Sequence, residues 1–552
     1  MRCLTGVFLL AFLGLASAGA KFHGSEWRRM NEALNTLSGY EPLKYTNHTI
    51  TQPIDHSNTK LGNWQQLYES MDVYQNKSSK SSLVFLMIGG EGQMSPAWIS
   101  NPNLQYIQWA KEFGALCFQV EHRFFGTSRP YPNMATESLK YLTTEQALED
   151  LASFITTVNN NATQWNLTNP RWITFGGSYP GSMAAWFRSK HPDLTIGSVA
   201  SSAPLNLKLD FYEYTMVMQD TIANVSKECY DTVNKTFTVL QQKTLTTDGR
   251  SDLNKAFKSL NLQPEFSDKT VTMLQLTNFL SDVYYTFQGV IQYTYDGRSN
   301  VTVGGLNVSA MCDIMTSNNP KNDNDYLTGV VNVMTWDNKW EEVNVTKSPF
   351  YNDYFKNLEP LNQINYENID NAASRGWMWL CCNELGFMQT TSQGYNIFQD
   401  IVPLGLYFQQ CVDLFGPSIN ATYVRDHNRK AQNYYGGVDY FNATNLVLPN
   451  GSLDPWHALG YYKQDNVSNV QPYLISGTAH CSDMYASYVG EPTALPAVRK
   501  FIHDQLVTYI TKPQPSGVST TAQPTTTTTR SASSLAASAL VVLVGILVNR
   551  LF

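Results

Sequence analysis

Ile173-Thr174-Phe175-Gly176-Gly177-Ser178-Tyr179-Pro180-Gly181-Ser182-Met183-Ala184-Ala185-Trp186 reads as a short apolar strand, a glycine turn, a serine and the start of a helix. A nucleophilic serine needs this context, because it must sit on a strained strand-to-helix turn that admits only small neighbours. The spacing departs from G-x-S-x-G: Pro180 holds the place of the second glycine, and Gly181 follows one residue later. Proline is acceptable there, since in the first helical turn its missing N–H has no partner to lose. The competing interpretation is a strand-helix connection with no chemistry.

Outward from this turn, the first third of the chain alternates strands and helices. Ser82 to Ile88 is an apolar run that stops at Gly89-Gly90-Glu91-Gly92, Ala115 to Val120 is another, and Thr144 to Val158 carries apolar residues at helical spacing. Such alternation predicts an α/β fold with a mostly parallel sheet and helices on both faces. The same texture returns in Leu446 to Leu448, Tyr473 to Ile475 and a closing helix from Leu495 to Ile510. Between about Leu207 and Asp426 the segments become longer, helix-like and aromatic-rich. The expected organisation is a catalytic domain in two parts, residues 21–206 and 426–512, with a helical lid at 207–425 inserted between them.

The late strands carry the partners a nucleophilic serine requires. Asp454 follows the first of them in Asn450-Gly451-Ser452-Leu453-Asp454-Pro455-Trp456, and His480 follows the second in Gly477-Thr478-Ala479-His480-Cys481-Ser482-Asp483-Met484. Ser178, Asp454 and His480 thus come in the chain order that α/β-hydrolases use for nucleophile, orienting acid and general base. His480 would take the serine proton and return it to the leaving group, while Asp454 fixes the tautomer. His457 and His503 are rival bases, the first close to Asp454 and the second on the last helix; Asp483 is the rival acid, but it is too near His480 in sequence to approach the ring easily from behind. Gly90, in the glycine cluster, and Tyr179 are the expected main-chain donors of an oxyanion hole. Those glycines could equally make only a tight turn.

Composition sets the surroundings. The chain has 552 residues, 43% hydrophobic and 12% aromatic, enough for a large core and an insertion. A net charge of -7 without a basic run argues against nucleic acid as a partner. Arg2, the apolar run Val7 to Leu15 and Ala16-Ser17-Ala18 read as a signal peptide over residues 1–20. Glycan acceptors begin at Asn47, Asn76, Asn161, Asn166, Asn224, Asn234, Asn300, Asn307, Asn344, Asn420, Asn442 and Asn466. Asn450 also fits the pattern but lies beside Asp454. Of eight cysteines Cys3 leaves with the leader, so an odd number, Cys117, Cys229, Cys312, Cys381, Cys382, Cys411 and Cys481, enters an oxidising compartment. Cys117, in an apolar run, reads as a buried thiol. Residues 513–534 are a Ser/Thr/Pro-rich stalk, and 535–552 read as a lipid-anchor (GPI) signal, with a membrane anchor or a tail removed by proteolysis as alternatives.

With these residues in hand the chain resembles the family of lysosomal Pro-Xaa carboxypeptidase, dipeptidyl-peptidase II and thymus-specific serine protease. The resemblance runs from about Gln52 to His503. It rests on Gln52-Pro53-Ile54-Asp55-His56, Ile88-Gly89-Gly90-Glu91-Gly92, Glu121-His122-Arg123-Phe124-Phe125-Gly126-Thr127-Ser128, Tyr141-Leu142-Thr143-Thr144-Glu145-Gln146-Ala147 and the three segments around Ser178, Asp454 and His480. It implies an α/β-hydrolase with a helical insertion, cleavage of peptides on the carboxyl side of proline, and bridges Cys382–Cys411 and Cys229–Cys312. No metal or other cofactor is expected. Family members with carboxypeptidase or dipeptidyl-peptidase activity have His after the base histidine, whereas this chain has Cys481, as in proteins resembling thymus-specific serine protease. Pro180 stands where relatives have a small residue, and Cys381 is extra, a candidate to pair with Cys481 or stay reduced.

Trp456 and Tyr179 are expected to line an apolar pocket for a proline ring, and Glu91 or Glu384 to bind a substrate amine or serve the scaffold. The functional expectation is a secreted, cell-surface or lysosomal serine exopeptidase acting on peptides, with a homodimer among the expected assemblies. The alternatives are a catalytically inactive surface binding glycoprotein and an esterase or lipase.

Overall fold

A computed structural model describes residues 40–267, 271–295, 305–317, 319–341 and 343–512. The expected leader, stalk and C-terminal anchor, and the acceptor Asn300, lie outside them. The strands are β1 (Thr46–Pro53), β2 (Asn63–Met71), β3 (Leu83–Ile88), β4 (Leu116–Val120), β5 (Arg171–Gly177), β6 (Gly197–Ser201), β7 (Leu446–Gly451) and β8 (Val470–Ile475). They form one sheet in the order β1-β2-β4-β3-β5-β6-β7-β8. The β1-β2 and β2-β4 pairs are antiparallel and all the others parallel. Between β6 and β7 the described chain forms helices and connecting loops. This is the α/β-hydrolase architecture that the alternating texture predicts.

The strand Leu-Val-Phe-Leu-Met-Ile of β3 is buried at every position, as a central parallel strand covered on both faces must be. Its alternate residues serve two cores. Val84, Leu86 and Ile88 join the core built with α2 (Thr144–Asn160), α3 (Tyr179–Lys190) and the helical insertion. Leu83, Phe85 and Met87 face the other way, toward α1 (Gln105–Phe113) and α5 (Ala494–Thr511). The insertion contributes α4 (Met273–Gln292). Cys117 lies in the second core as a buried thiol, and burial pushes its pKa up to about 12.

The chain leaves β3 for β4 on one side and returns to β5 on the other. Register pairs Met87 with Phe175, so the loops after β3 and β5 open side by side at the carboxyl end of the sheet. That reversal makes the crevice in which open α/β sheets bind ligands. It sets Gly90 against Pro180, two residues beyond Ser178.

Three of the segments that carry the family resemblance are joined beneath this crevice. Arg123 Nε and Nη2 donate to the two oxygens of Asp150, each at 2.7 Å, and His56 Nε2 meets Asp150 Oδ1 at 2.7 Å. Arg123 also donates to the carbonyls of Ile54 (3.1 Å) and Tyr141 (3.0 Å), while Gln52 Nε2 donates to Asp150 O at 2.9 Å. Burial alone would raise the Asp150 pKa, but Arg123 and His56 outweigh it and hold the carboxyl below its ordinary value. Asp150→Asn is expected to destabilise the fold by about 3–5 kcal/mol, because it leaves the guanidinium buried beside a neutral amide. A denaturant midpoint equal to the wild type's would refute a structural role for the pair.

Candidate active site

Ser178 has φ 64° and ψ -132°, backbone torsions that a non-glycine residue adopts only under constraint. The turn is held by Ser178 N–H donating to Ser201 O at 2.9 Å and Ser182 N–H donating to Ser178 O at 3.0 Å. Its glycines are required by close approach rather than by flexibility. A Cβ on Gly176 would lie 2.1 Å from Pro180 O, one on Gly177 2.2 Å from Met484 Sδ, and one on Gly181 2.5 Å from Ser201 O. Pro180 sits in the first turn of α3, and its ring takes the space a side chain at position 90 would need, 2.6 Å from the Cβ that Gly90 lacks. The departure from G-x-S-x-G is therefore matched by a glycine across the crevice.

Asp454 and His480, on the loops after β7 and β8, are both buried. His480 Nδ1 lies 2.7 Å from Asp454 Oδ2, and the other carboxylate oxygen accepts Trp456 N–H at 3.0 Å. With Nδ1 donating to the acid, Nε2 is left as an acceptor, and it has no hydrogen-bond partner although the residue is 1% exposed. Burial alone would lower the imidazole pKa, but the adjacent Asp454 carboxylate, with Cys481 adding to it, outweighs burial and holds the pKa well above its ordinary value. Cys481 Sγ is 3.0 Å from the position of a Gly177 Cβ, so the residue after His480 abuts the residue before Ser178.

Tyr179 opens α3, and its N–H is one of those a helix start leaves without an intrahelical partner. Gly89 N–H is used by Val120 O at 2.9 Å, and Gly90 follows it against Pro180. Glu91 is buried, its Oε2 has no partner, and burial pushes its pKa up to about 7, with His480 opposing more weakly. Trp456 is a buried slab that meets Phe211, Tyr214 and Phe387 and lies 6.4 Å from the His480 ring.

Burial, and after it the carboxylate of Glu384, raise the Tyr179 phenol pKa, so Glu384 lies near Tyr179. Glu384 Oε2 accepts Thr144 N–H (2.9 Å) and Thr144 Oγ (2.8 Å), capping the start of α2. It lines a cavity of about 570 Å³ with Lys140, Tyr423, His427 and Lys430, and Ser178, Trp456 and His480 are not in its wall. Of the two roles expected for Glu384, substrate amine or scaffold, this capping contact is of the scaffold kind.

The two bridges form, Cys229–Cys312 and Cys382–Cys411, with Cα separations of 5.3 and 5.8 Å. Cys381 and Cys481 do not pair, since Cys381 belongs to the core on the insertion side and Cys481 to the core on the opposite face of the sheet. Asn450 is fully buried and so excluded as a glycan acceptor, while Asn47, Asn76, Asn161, Asn166, Asn224, Asn344, Asn420, Asn442 and Asn466 are exposed and Asn234 and Asn307 half-buried.

Among the rivals, His457 contacts Tyr462 Oη at 3.2 Å, and His503 reaches Glu112 at 2.9 Å on the far helices. Asp483 instead accepts Ser201 Oγ at 2.5 Å, tying the base loop to the strand that holds Ser178 N–H. Burial raises its pKa to about 6.

Two contacts were not read from sequence. His122 Nδ1 donates to Arg123 O at 2.8 Å, so its Nε2 accepts from Tyr179 Oη at 2.9 Å. Burial lowers the His122 pKa to about 4, and the neutral ring anchors the side chain that follows Ser178. The second is His480 N–H, which donates to Gln292 O at 3.1 Å, so α4 supports the loop that carries His480. The quoted Glu121–Ser128 segment signals the first; nothing local signals the second.

Residues 52–502 match the family model described as serine carboxypeptidase S28. A Caenorhabditis elegans protein described as a "putative serine protease" is 50% identical over 468 residues, covering 84% of each chain. Mouse thymus-specific serine protease is 27% identical, covering 84% of this chain and 87% of its own. Bovine lysosomal Pro-X carboxypeptidase is 26% identical, covering 83% and 86%.

Proposed function

The chain belongs to the serine carboxypeptidase S28 family, and from that premise we propose a peptidase that cuts on the carboxyl side of proline, with Ser178 as nucleophile, His480 as base and Asp454 as orienting acid. The observation that carries this reading is the buried Asp454–His480 pair at 2.7 Å, its outer nitrogen without a partner, beside a serine held at positive φ. Ser178 Oγ attacks the carbonyl carbon while His480 Nε2 takes its proton. The N–H groups of Tyr179 and Gly90 receive the oxyanion, a donor of this kind being worth about 3 kcal/mol in the transition state. The imidazolium then protonates the leaving amine, and water, deprotonated by His480, releases the acyl group.

Trp456, with Phe211 and Phe387 around it, suits an apolar ring next to the reacting carbonyl. Incubation with a peptide library is expected to give products ending in proline; cuts scattered over other residues would sink the specificity. A secretory route to the cell exterior or a lysosome agrees with the exposed glycan acceptors and with the relative named lysosomal. Among the described residues no helix is long and apolar enough to cross a membrane.

Glu91 is proposed to bind a free substrate amine. It must be ionised to do so, and with its pKa at about 7 the carboxylate forms as pH rises through that value. An α-amine loses its proton near 8. KM for dipeptidyl substrates is therefore expected to fall as pH rises from 6 toward about 7.5, and Glu91→Gln to abolish this fall and raise KM about tenfold or more. N-terminally blocked substrates should show no such dependence. An identical profile for blocked and free substrates would assign Glu91 to the scaffold.

A further inference from the structure

Gln292 ends α4 in the helical insertion and is 1% exposed. Its main-chain oxygen accepts His480 N–H. Its side-chain Oε1 accepts Trp456 Nε1 at 3.1 Å and Tyr214 Oη at 2.5 Å. Indole nitrogen can only donate, so the amide orientation is set by chemistry: the oxygen faces Trp456 and the NH₂ group points away from it. That nitrogen has no hydrogen-bond partner. A buried unpaired donor in a native protein calls for a ligand, a water or a functional role.

The chemistry that would satisfy it is specific. An Xaa-Pro amide has a carbonyl acceptor but no N–H, because proline nitrogen carries no hydrogen. A residue that offers a donor and has already spent its acceptor is complementary to that group. We propose that Gln292 is a substrate-positioning residue whose Nε2 donates to the carbonyl of the Xaa-Pro amide, the one preceding the reacting proline carbonyl. The inference rests on the proline-directed reading above. By it, the insertion supplies a positioning contact from the same residue that supports the base loop, and substrate binding is linked to the placement of His480.

The test is a ratio of rates in the full-length protein. Ala-Pro-anilide is compared with its analogue in which sulfur, a weak acceptor, replaces the alanine carbonyl oxygen. The wild type is expected to prefer the oxygen substrate by about three- to tenfold in kcat/KM, the range of one neutral hydrogen bond. In Gln292→Met, which removes the donor at similar volume, the preference should fall to about one whatever the absolute rate. Gln292→Glu keeps an oxygen for Trp456 and Tyr214, and should give the same result at alkaline pH, where the acid has no proton to donate. An unchanged ratio in both variants, alongside retained preference for Ala-Pro-anilide over Ala-Ala-anilide, would overturn the Gln292 contact alone and leave Nε2 to a water. Equal cleavage of Ala-Pro-anilide and Ala-Ala-anilide by the wild type would instead overturn the proline reading, and the oxygen-to-sulfur ratio is then read on Ala-Ala-anilide.

Discussion

Ser178→Ala is expected to lower kcat on a proline-containing peptide by about 10⁵- to 10⁶-fold, the loss seen when the nucleophile of a serine triad is removed. What remains should be the roughly 10³- to 10⁴-fold advantage over water that an oxyanion hole and bound geometry provide without the nucleophile. The substitution leaves the turn intact: alanine keeps the Cβ, and the hydrogen bonds that hold Ser178 use only its main-chain N–H and O. The urea midpoint should therefore match that of the wild type. A fluorophosphonate probe should label the wild type at this residue and leave the variant unlabelled. A binding glycoprotein with an unactivated serine would fail to label in either form, and an enzyme with a different nucleophile would label in both.

The elements read from sequence are those whose environment is uniform along their length. β3, β4 and β5 lie in the interior of the sheet, so nearly every position is apolar or small, Gln119 and Arg171 excepted, and the run announces itself. The loops that carry Asp454 and His480 were legible because each follows a short apolar run, Leu446 to Leu448 and Tyr473 to Ile475. β6, Gly-Ser-Val-Ala-Ser, has almost no hydrophobic signal and is a strand only because β5 and β7 flank it; a Cβ on its Gly197 would lie 2.3 Å from Tyr509. β1 is polar because it occupies the sheet edge, with much of it exposed, whereas β2, between β1 and β4, buries polar residues such as Gln66 and Glu69 in hydrogen bonds. The capping contact of Glu384 was hidden for another reason. Its partner Thr144 is 240 residues away in the chain, and no local pattern distinguishes a carboxylate that caps a helix from one that faces a substrate. Gln292 was hidden in the same way, on a helix whose spacing predicts only a core face.

Asp454→Asn is expected to cost about 10⁴-fold in kcat while preserving the fold, since the amide has the shape of the carboxylate and its oxygen can still accept Trp456 N–H. The loss arises at the other end. The amide NH₂ must face His480 Nδ1 as a donor, which forces the ring proton onto Nε2, and a protonated Nε2 cannot take the serine proton. The same substitution should also move the pH profile. His480 acts as a base only when neutral, so kcat/KM rises with pH through the imidazole pKa, and Asp454 holds that pKa well above 6.5 against the effect of burial. With asparagine the carboxylate's contribution is gone while burial still lowers the imidazole pKa, so the rising limb should move to lower pH as the plateau collapses. A profile measured between pH 4 and 9 separates the two effects. A limb that stays in place would mean that the titrating group is not His480 paired with Asp454. The position of the wild-type limb also bears on compartment: an enzyme suited to an acidic lumen needs a neutral base at low pH, and the ion pair at 2.7 Å works against that unless bound substrate lowers the imidazole pKa.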